Sequence, residues 1–476
     1  MTSKFLTSRC CSGKILHVVS LFKERFIVDE KLSWKNYLFV ASMLFGMFFG
    51  AGNIIFPVHL GQAAGSNVWP AIGGFILTGV GIPILAVAAI GMSGGNGLQD
   101  LASRVNKKYA MFFTCMLYLT IGPFFAIPRC ATVPFSMGIA PMLGNVSPET
   151  ALFGFSLLFF AIVMFFSLRP SGIVTWVGKI LTPIFLIFLG SLLLVAFANP
   201  MADSIAGIVP SPEYQSGAFA KGVLEGYNTM DAMAGLAFGI IVVHSLKNLG
   251  LRSNEAIASS TIKAGILSGI IMSAIYLMII IMGTMSMGVF PMAENGGVAL
   301  SDISGYYFGA AGIFVLAGIA TFACLKTAVG LVTSCSETFC QMLPAGPGYR
   351  TWACIFGAVS FLISNVGLTA IIIYAIPVLM FLYPLTITLT LLGLMGKWFN
   401  QSRYVYASVT FFTAVAAIFD LVNALPKELG GAALITSMIE FANVYLPFFS
   451  QGFGWLIPAM AGLVIGLGLA RFNGDI

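Results

Sequence analysis

The chain has 476 residues, 58% of them hydrophobic and 8% charged, with a mean hydropathy of +0.97. A soluble domain of this length would carry about a quarter of its residues charged, roughly 120, whereas this chain has 23 basic and 17 acidic side chains. So few charges cannot clothe a water-facing surface, which excludes a soluble enzyme, a nucleic-acid binder and a disulfide-rich secreted protein and leaves an all-α polytopic membrane protein.

The first 35 residues form a basic tail with seven Lys/Arg and no long apolar stretch. Ile15 to Phe22 is too short and too polar for the core of a signal peptide, so no cleaved signal is expected. A spanning helix needs about 20 apolar residues, and the runs at 37–60, 69–92, 109–139, 151–168, 176–198, 221–245, 262–288, 306–335, 351–366, 369–395, 403–424 and 452–471 predict about twelve transmembrane helices. Only Asn365 to Leu368 separate the ninth from the tenth. A weaker apolar segment, 429–449, reads as interfacial or re-entrant. The loop at 289–305 carries Glu294-Asn295-Gly296-Gly297 and Asp302, and is either an external lid or an ordinary solvated turn. Cys10 and Cys11 sit in the tail, and the other six cysteines lie in or beside apolar runs, as small residues of packed helices do.

The basic residues sort by side. With the N-terminus inside, nineteen of the 23 Lys/Arg fall in the tail or in cytoplasmic loops and two, Lys221 and Lys427, fall opposite. Arg129 and Lys326 lie within spans. This asymmetry places both termini in the cytoplasm and accounts for the net charge of +6 without a nucleic-acid partner.

Two spans are interrupted at mid-depth. The first reads Gly46-Met47-Phe48-Phe49-Gly50-Ala51-Gly52-Asn53 before Pro57, a poor sequence for continuous helix. The sixth reads Glu225-Gly226-Tyr227-Asn228-Thr229-Met230-Asp231. Unwound backbone inside a bilayer is tolerated where it lines a cavity or is buried in protein, and its freed amides and carbonyls can hold anions and cations. Tight helix packing is the other reading of a glycine cluster. Breaks in spans one and six are equivalent if five spans repeat in five, which points to an inverted-repeat transporter with a midplane site. No phosphate-binding G-x-x-x-x-G-K-[ST] loop, G-x-S-x-G element or metal-spaced His/Cys set is present, so the chain is expected neither to hydrolyse ATP nor to be an enzyme, and needs no cofactor. A channel would show a repeated filter or a charged ring, and neither is visible.

The stretch Phe48 to Pro57 with Gly61 to Gly65, Ile121 to Arg129, Glu225 to Asp231 and Val378 to Leu385 resembles bacterial branched-chain amino acid:cation symporters, the LIVCS or BrnQ-type family, from about residue 35 to about 470. That resemblance implies import of leucine, isoleucine and valine across the inner membrane, driven by Na⁺ or H⁺, with no ATPase subunit. It also implies a LeuT-type fold: two inverted five-helix repeats, here 36–198 and 199–396, followed by two further helices in 397–476 and preceded by the tail at 1–35.

By the same resemblance, Ala51, Gly52 and Asn53 would bind the substrate carboxylate through backbone amides, and Gly46 and Phe49 would give ion-site carbonyls. Backbone around Tyr227, Asn228 and Thr229 would take the ammonium. Met230 and helix-three aromatics such as Phe124 and Phe125 would wall an apolar pocket. A pocket of that kind separates aliphatic substrates by only about 1–3 kcal/mol per methylene, so Leu, Ile and Val should overlap, with Met at the margin.

An isolated intramembrane charge costs at least ~2.5–3.5 kcal/mol, so Arg129 and Asp231 are expected to pair across helices three and six, with Glu225 as the rival partner. Such a pair can equally be structural and never touch substrate. Asp420 reads as structural or as an end-of-span residue.

Lys326 departs from the pattern. In LeuT-type Na⁺ sites the eighth helix gives a carbonyl and then hydroxyls three and four residues later, which map to Ala323, Lys326 and Thr327. An ammonium there would stand in for Na⁺ and repel a real one, by about 4 kcal/mol at about 4 Å and an effective dielectric near 20. A lysine that loads and releases a proton would favour H⁺ coupling. Snorkelling to the cytoplasm, ~13 Å along the helix, is the competing reading.

Overall fold

The computed structural model describes residues 32–93, 97–143, 146–169, 172–426 and 433–476. The tail through residue 31 with Cys10 and Cys11, Lys427, and the start of the 429–449 segment lie outside the described residues.

Ser33 caps the first helix by accepting the Asn36 amide at 3.3 Å. From there α1 (Trp34–Phe48) runs to the glycine cluster, and the chain resumes as α2 (Gly52–Ala64). It turns at Gly65, whose φ of +50° suits glycine, and returns as α3 (Val68–Ile76) and α4 (Ile82–Met92) on either side of a π-turn. The third span is α5 (Lys107–Leu119) and α6 (Ala126–Pro134), joined by the π-turn Thr120–Phe124 in which Gly122 leaves helical geometry. Helices α7 (Pro148–Ser167) and α8 (Thr182–Ala198) complete the first set of five.

The second set opens with a broken span, α9 (Ala218–Asn228) and α10 (Asp231–Asn248), bent by 44°. It continues as α11 (Asn254–Ser286), α12 (Gly296–Phe308), α13 (Gly312–Met342), α14 (Tyr349–Ser364) and α15 (Leu368–Met395). Helices α16 (Arg403–Asn423), α17 (Ala433–Tyr445) and α18 (Leu456–Phe472) follow. Among the described residues, eight helices are long and apolar enough to cross a membrane, nine with the bent pair, and α14 and α18 are shorter apolar helices. The count of twelve therefore rests on the apolar runs rather than on helix length.

Three expectations change. The seventh span begins at Asn254 instead of 262, because Ser253 accepts the Ala256 amide at 3.2 Å and starts the helix early. The eighth runs from Gly312 to Met342 instead of 306–335. Its expected first turn belongs to α12, a separate helix capped by Asn295, which accepts the Gly297 and Val298 amides at 2.9 and 3.1 Å. The 289–305 loop is thus largely helix. It lies so close to α2 that a Cβ at Gly296 would overlap the Ile55 carbonyl.

Lipid tails are as apolar as leucine, so helices in a bilayer associate through close packing at small residues. A Cβ at Gly61 would lie 2.1 Å from the Ile280 carbonyl oxygen and one at Gly283 would lie 2.3 Å from that of Val58, so α2 and α11 touch backbone to backbone. The same holds for α3 and α9, where a Cβ at Gly74 or Gly222 would come within 2.0 or 2.1 Å of a backbone oxygen. These contacts hold each broken span backbone to backbone against a neighbouring helix.

Candidate functional site

At the first break, Phe49 donates its amide to the Phe45 carbonyl at 2.8 Å and the helix ends there. The Asn53 side chain then reaches back to accept the Gly50 amide at 2.9 Å, so the unwound turn is braced by its own residue. At the second break Met230 adopts left-handed backbone, φ 66° and ψ 10°, a conformation that costs a non-glycine residue about 1–2 kcal/mol. Thr229 supports it by donating its hydroxyl to the Gly226 carbonyl at 2.8 Å and accepting the Asp231 amide at 3.4 Å.

The two breaks face each other. Asn53 donates from Nδ2 to the Asp231 carboxylate and to the Tyr276 hydroxyl, and Tyr276 donates to Asp231 at 3.2 Å. All three side chains are buried. Tyr276, on α11, was not flagged by the sequence. Its hydroxyl is one polar atom in a long apolar helix, and no spacing pattern marks it.

Arg129 enters from the third span because the π-turn before α6 re-aims that helix. The residue is 5% exposed. Nη1 donates to the Asn228 carbonyl at 3.3 Å, the group lies 5.8 Å from the Phe56 ring centroid, and Nε has no hydrogen-bond partner. Arg129 makes no contact within 4 Å with Asp231 or Glu225, although Asp231 lines the same cavity. Lys221–Glu213 and, when His244 is protonated, His244–Glu337 pair within 4 Å, and neither involves Arg129. Asp231 is turned to Asn53 and Tyr276, while Glu225 accepts from Asn228 Nδ2 at 3.2 Å.

Between the breaks lies a small, partly open space of about 20 Å³, room for a water molecule but not an amino acid. Ala51, Gly52, Asn53, Thr229, Met230, Asp231, Arg129 and Thr327 line it, and Met47, Phe48, Ile121, Ala126 and Leu331 give it an apolar wall. Phe124 is not part of that wall. It is 42% exposed and packs edge-on against Phe125, because the turn at Gly122 directs Ile121 and Ala126 inward instead. Tyr227 stacks on Tyr383 with centroids 4.4 Å apart, away from the cavity, and its carbonyl accepts the Met230 amide at 3.0 Å. Of the acceptors expected for an ammonium, that of Asn228 is engaged by Arg129.

Of the ion-site candidates, Thr327 lines this cavity, and Gly46, Phe49, Ala323 and Lys326 do not. Thr327 donates to the Met47 carbonyl at 2.8 Å, one residue from the expected acceptor Gly46, and a Cβ at Gly50 would lie 2.7 Å from the same hydroxyl. Phe49 joins a ring cluster with Phe45, Phe185 and Tyr276. Ala323 and Lys326 are both fully buried. The Lys326 ammonium does not snorkel. It lies 3.6 Å from the Phe185 centroid and 5.4 Å from that of Phe45, with no hydrogen-bond partner, and its Cδ lies 3.5 Å from where a Cβ of Gly46 would be. Nothing in the sequence distinguishes Phe185 among the 42 phenylalanines.

An all-helical bundle with facing breaks in its first and sixth spans defines a LeuT-type transporter fold, and solved structures agree. The chain superposes with a TM-score of 0.61 on Mhp1, a nucleobase-cation-symport-1 family transporter, at 12% identity over 92% of each chain. With MhsT in complex with L-phenylalanine the TM-score is 0.55, at 15% identity over 91% of this chain and 98% of that one. Residues 33–473 match the family described as branched-chain amino acid transport protein, and the chain belongs to that family. It is 49% identical to the branched-chain amino acid permease BrnQ of Lactobacillus delbrueckii subsp. lactis, over 90% of this chain and 96% of the relative. Identity is 40% to BrnQ of Bacillus subtilis, over 94% and 99%, and 37% to the branched-chain amino acid transport system 2 carrier protein of Pseudomonas aeruginosa, over 92% and 97%. The family consists of transport proteins rather than enzymes.

Proposed function

We propose that this chain is a secondary active transporter that imports leucine, isoleucine and valine across the bacterial cytoplasmic membrane by alternating access, with both termini cytoplasmic. The observation that carries the reading is the pair of facing helix breaks tied by Asn53 and Asp231 around a small cavity. Amides at the start of α2, from Ala51 to Asn53, would face the substrate carboxylate, and backbone near Asn228 and Thr229 its ammonium. The apolar wall from Phe48, Ile121, Ala126, Met230 and Leu331 suits an aliphatic side chain. Because the cavity is smaller than any of these substrates, loading requires the breaks to part, as alternating access demands.

For coupling, the placement of Lys326 favours H⁺ over Na⁺. A fully buried amine beside Gly46, facing two aromatic rings and without a hydrogen-bond partner, would bring a positive charge to this place only when it takes up a proton, which ties the charge there to H⁺ rather than to a bound Na⁺. The alternative, Na⁺ coupling with a structural Lys326, draws support from Thr327, whose hydroxyl sits with the Met47 carbonyl in an oxygen-bearing pair. Radiolabelled leucine uptake into proteoliposomes, with Na⁺ and pH gradients imposed separately, tests both readings. Accumulation above equilibrium driven by a pH gradient alone is the expected result. Uptake that never exceeds equilibrium would mean a facilitative pathway, and accumulation scaling steeply with Na⁺ at fixed pH would mean a Na⁺ symporter.

A further inference from the structure

Arg129 is 5% exposed in a bilayer-embedded site, has no carboxylate within 4 Å of its guanidinium among the described residues, and leaves Nε without a partner. Asp231, on the same cavity, offsets part of this buried charge from beyond contact distance, but none of the described carboxylates touches the fork, which leaves its donors open to a second anion. Its position says which anion. The guanidinium lies against Gly52, the first residue of α2, where a Cβ would come within 2.9 Å of Nη2. The first amides of a helix carry the positive end of its dipole and lack intrahelical acceptors. The Ile54 and Ile55 amides fold back onto the Ala51 carbonyl at 3.3 and 3.4 Å, which leaves Gly52 and Asn53 at the open end. A planar five-donor fork and a helix N-terminus thus converge on one wall of the cavity between the breaks.

We propose that Arg129 is the residue that holds the substrate's α-carboxylate, together with the α2 amides; this rests on the amino-acid transporter reading above. Asp231 lines the same cavity, but its carboxylate is committed to Asn53 and Tyr276. In this structure one fork position rests on the Asn228 carbonyl. Substrate entry replaces that neutral contact with a charge-assisted, bidentate one, and releases the Asn228 carbonyl toward the ammonium. The apolar lining beside Arg129, Ile121 and Ala126 above all, then receives the side chain.

The test is equilibrium binding of radiolabelled leucine to the purified full chain, with competition by leucinamide, which keeps the ammonium and lacks the carboxylate. Wild type should bind leucine far more tightly than leucinamide. Arg129→Gln should weaken leucine by about 30-fold or more, the loss seen when one partner of a buried charge pair is removed. Leucinamide should change little, so that the preference for leucine collapses. Arg129→Lys, which keeps the charge but not the fork, should retain part of that preference. A merely structural arginine would lower both affinities together, and an unchanged preference in Arg129→Gln or Arg129→Lys overturns the assignment. If neither variant folds, wild type decides, because leucinamide competing as well as leucine also overturns it. Wild type that binds no branched-chain amino acid would instead refute the substrate reading itself.

Discussion

Asn53 and Asp231 stand 178 positions apart and are joined by a buried amide-to-carboxylate hydrogen bond that ties one helix break to the other. Each belongs to a different five-span set, so any motion that separates the breaks must lengthen or exchange this bond. Tyr276 shares both partners, accepting from Asn53 and donating to Asp231. The triad is therefore a brace for the cavity.

Removing the brace should cost stability before anything else. Asn53→Ala deletes the acceptor for the Gly50 amide and the donor to Asp231 and Tyr276, leaving buried polar groups unpaired. A loss of about 1–3 kcal/mol is expected. Thermal unfolding of the purified protein in detergent should show a lowered midpoint and leucine uptake should fall, and an unshifted midpoint would count against the brace.

Gly52 gives a graded steric prediction. Beyond the Arg129 contact, a Cβ there would lie 3.3 Å from Phe56 and from the Thr229 backbone. Gly52→Ala should reduce uptake, and Gly52→Leu should abolish it, by displacing Arg129 and wedging the breaks apart. Membrane insertion should remain normal in both, because the helices themselves are unaltered. Normal leucine affinity in Gly52→Leu would remove the site from this part of the fold.

Lys326 and Phe185 make a paired prediction about coupling. Lys326→Thr restores a hydroxyl beside Thr327 and removes the internal cation, so uptake should either become Na⁺-dependent or cease. Phe185→Leu removes the nearer aromatic face, a contact worth about 2 kcal/mol or more when desolvated. Its pH-driven uptake should weaken while leucine binding persists. A Lys326→Thr carrier indistinguishable from wild type would leave the lysine without a role in transport.

Substrate competition follows from the lining. The cavity walls present aliphatic and aromatic atoms to a side chain, while Arg129 and Asp231 sit at the backbone breaks. Excess isoleucine, valine or leucine should each inhibit uptake of the others, with affinities separated by roughly 10–200-fold at most per methylene. Lysine and glutamate should not compete, since their charged ends would meet apolar walls. Strong inhibition by lysine would contradict this pocket.

The sequence by itself determined the membrane class, the order of apolar spans and the two interruptions. Hydropathy and helix-breaking chemistry are local: Gly50-Ala51-Gly52-Asn53 disfavours helix wherever it is placed, and the run around Thr229 and Met230 interrupts an apolar stretch in the same way. What those interruptions face was decided only in three dimensions. Opposite charge suggested Asp231 as the partner of Arg129, yet the turn at Gly122 directs the guanidinium to the Asn228 carbonyl, and Asn53 and Tyr276 take the carboxylate. Phe124 was expected at the pocket and lies outside it, whereas Phe185 closes over Lys326 with nothing in its surroundings along the chain to mark it. In a helix apolar on every side, composition carries no record of which face meets a neighbour. That is set by helix rotation and by glycine contacts such as Gly61 on Ile280, which exist only once the spans have packed.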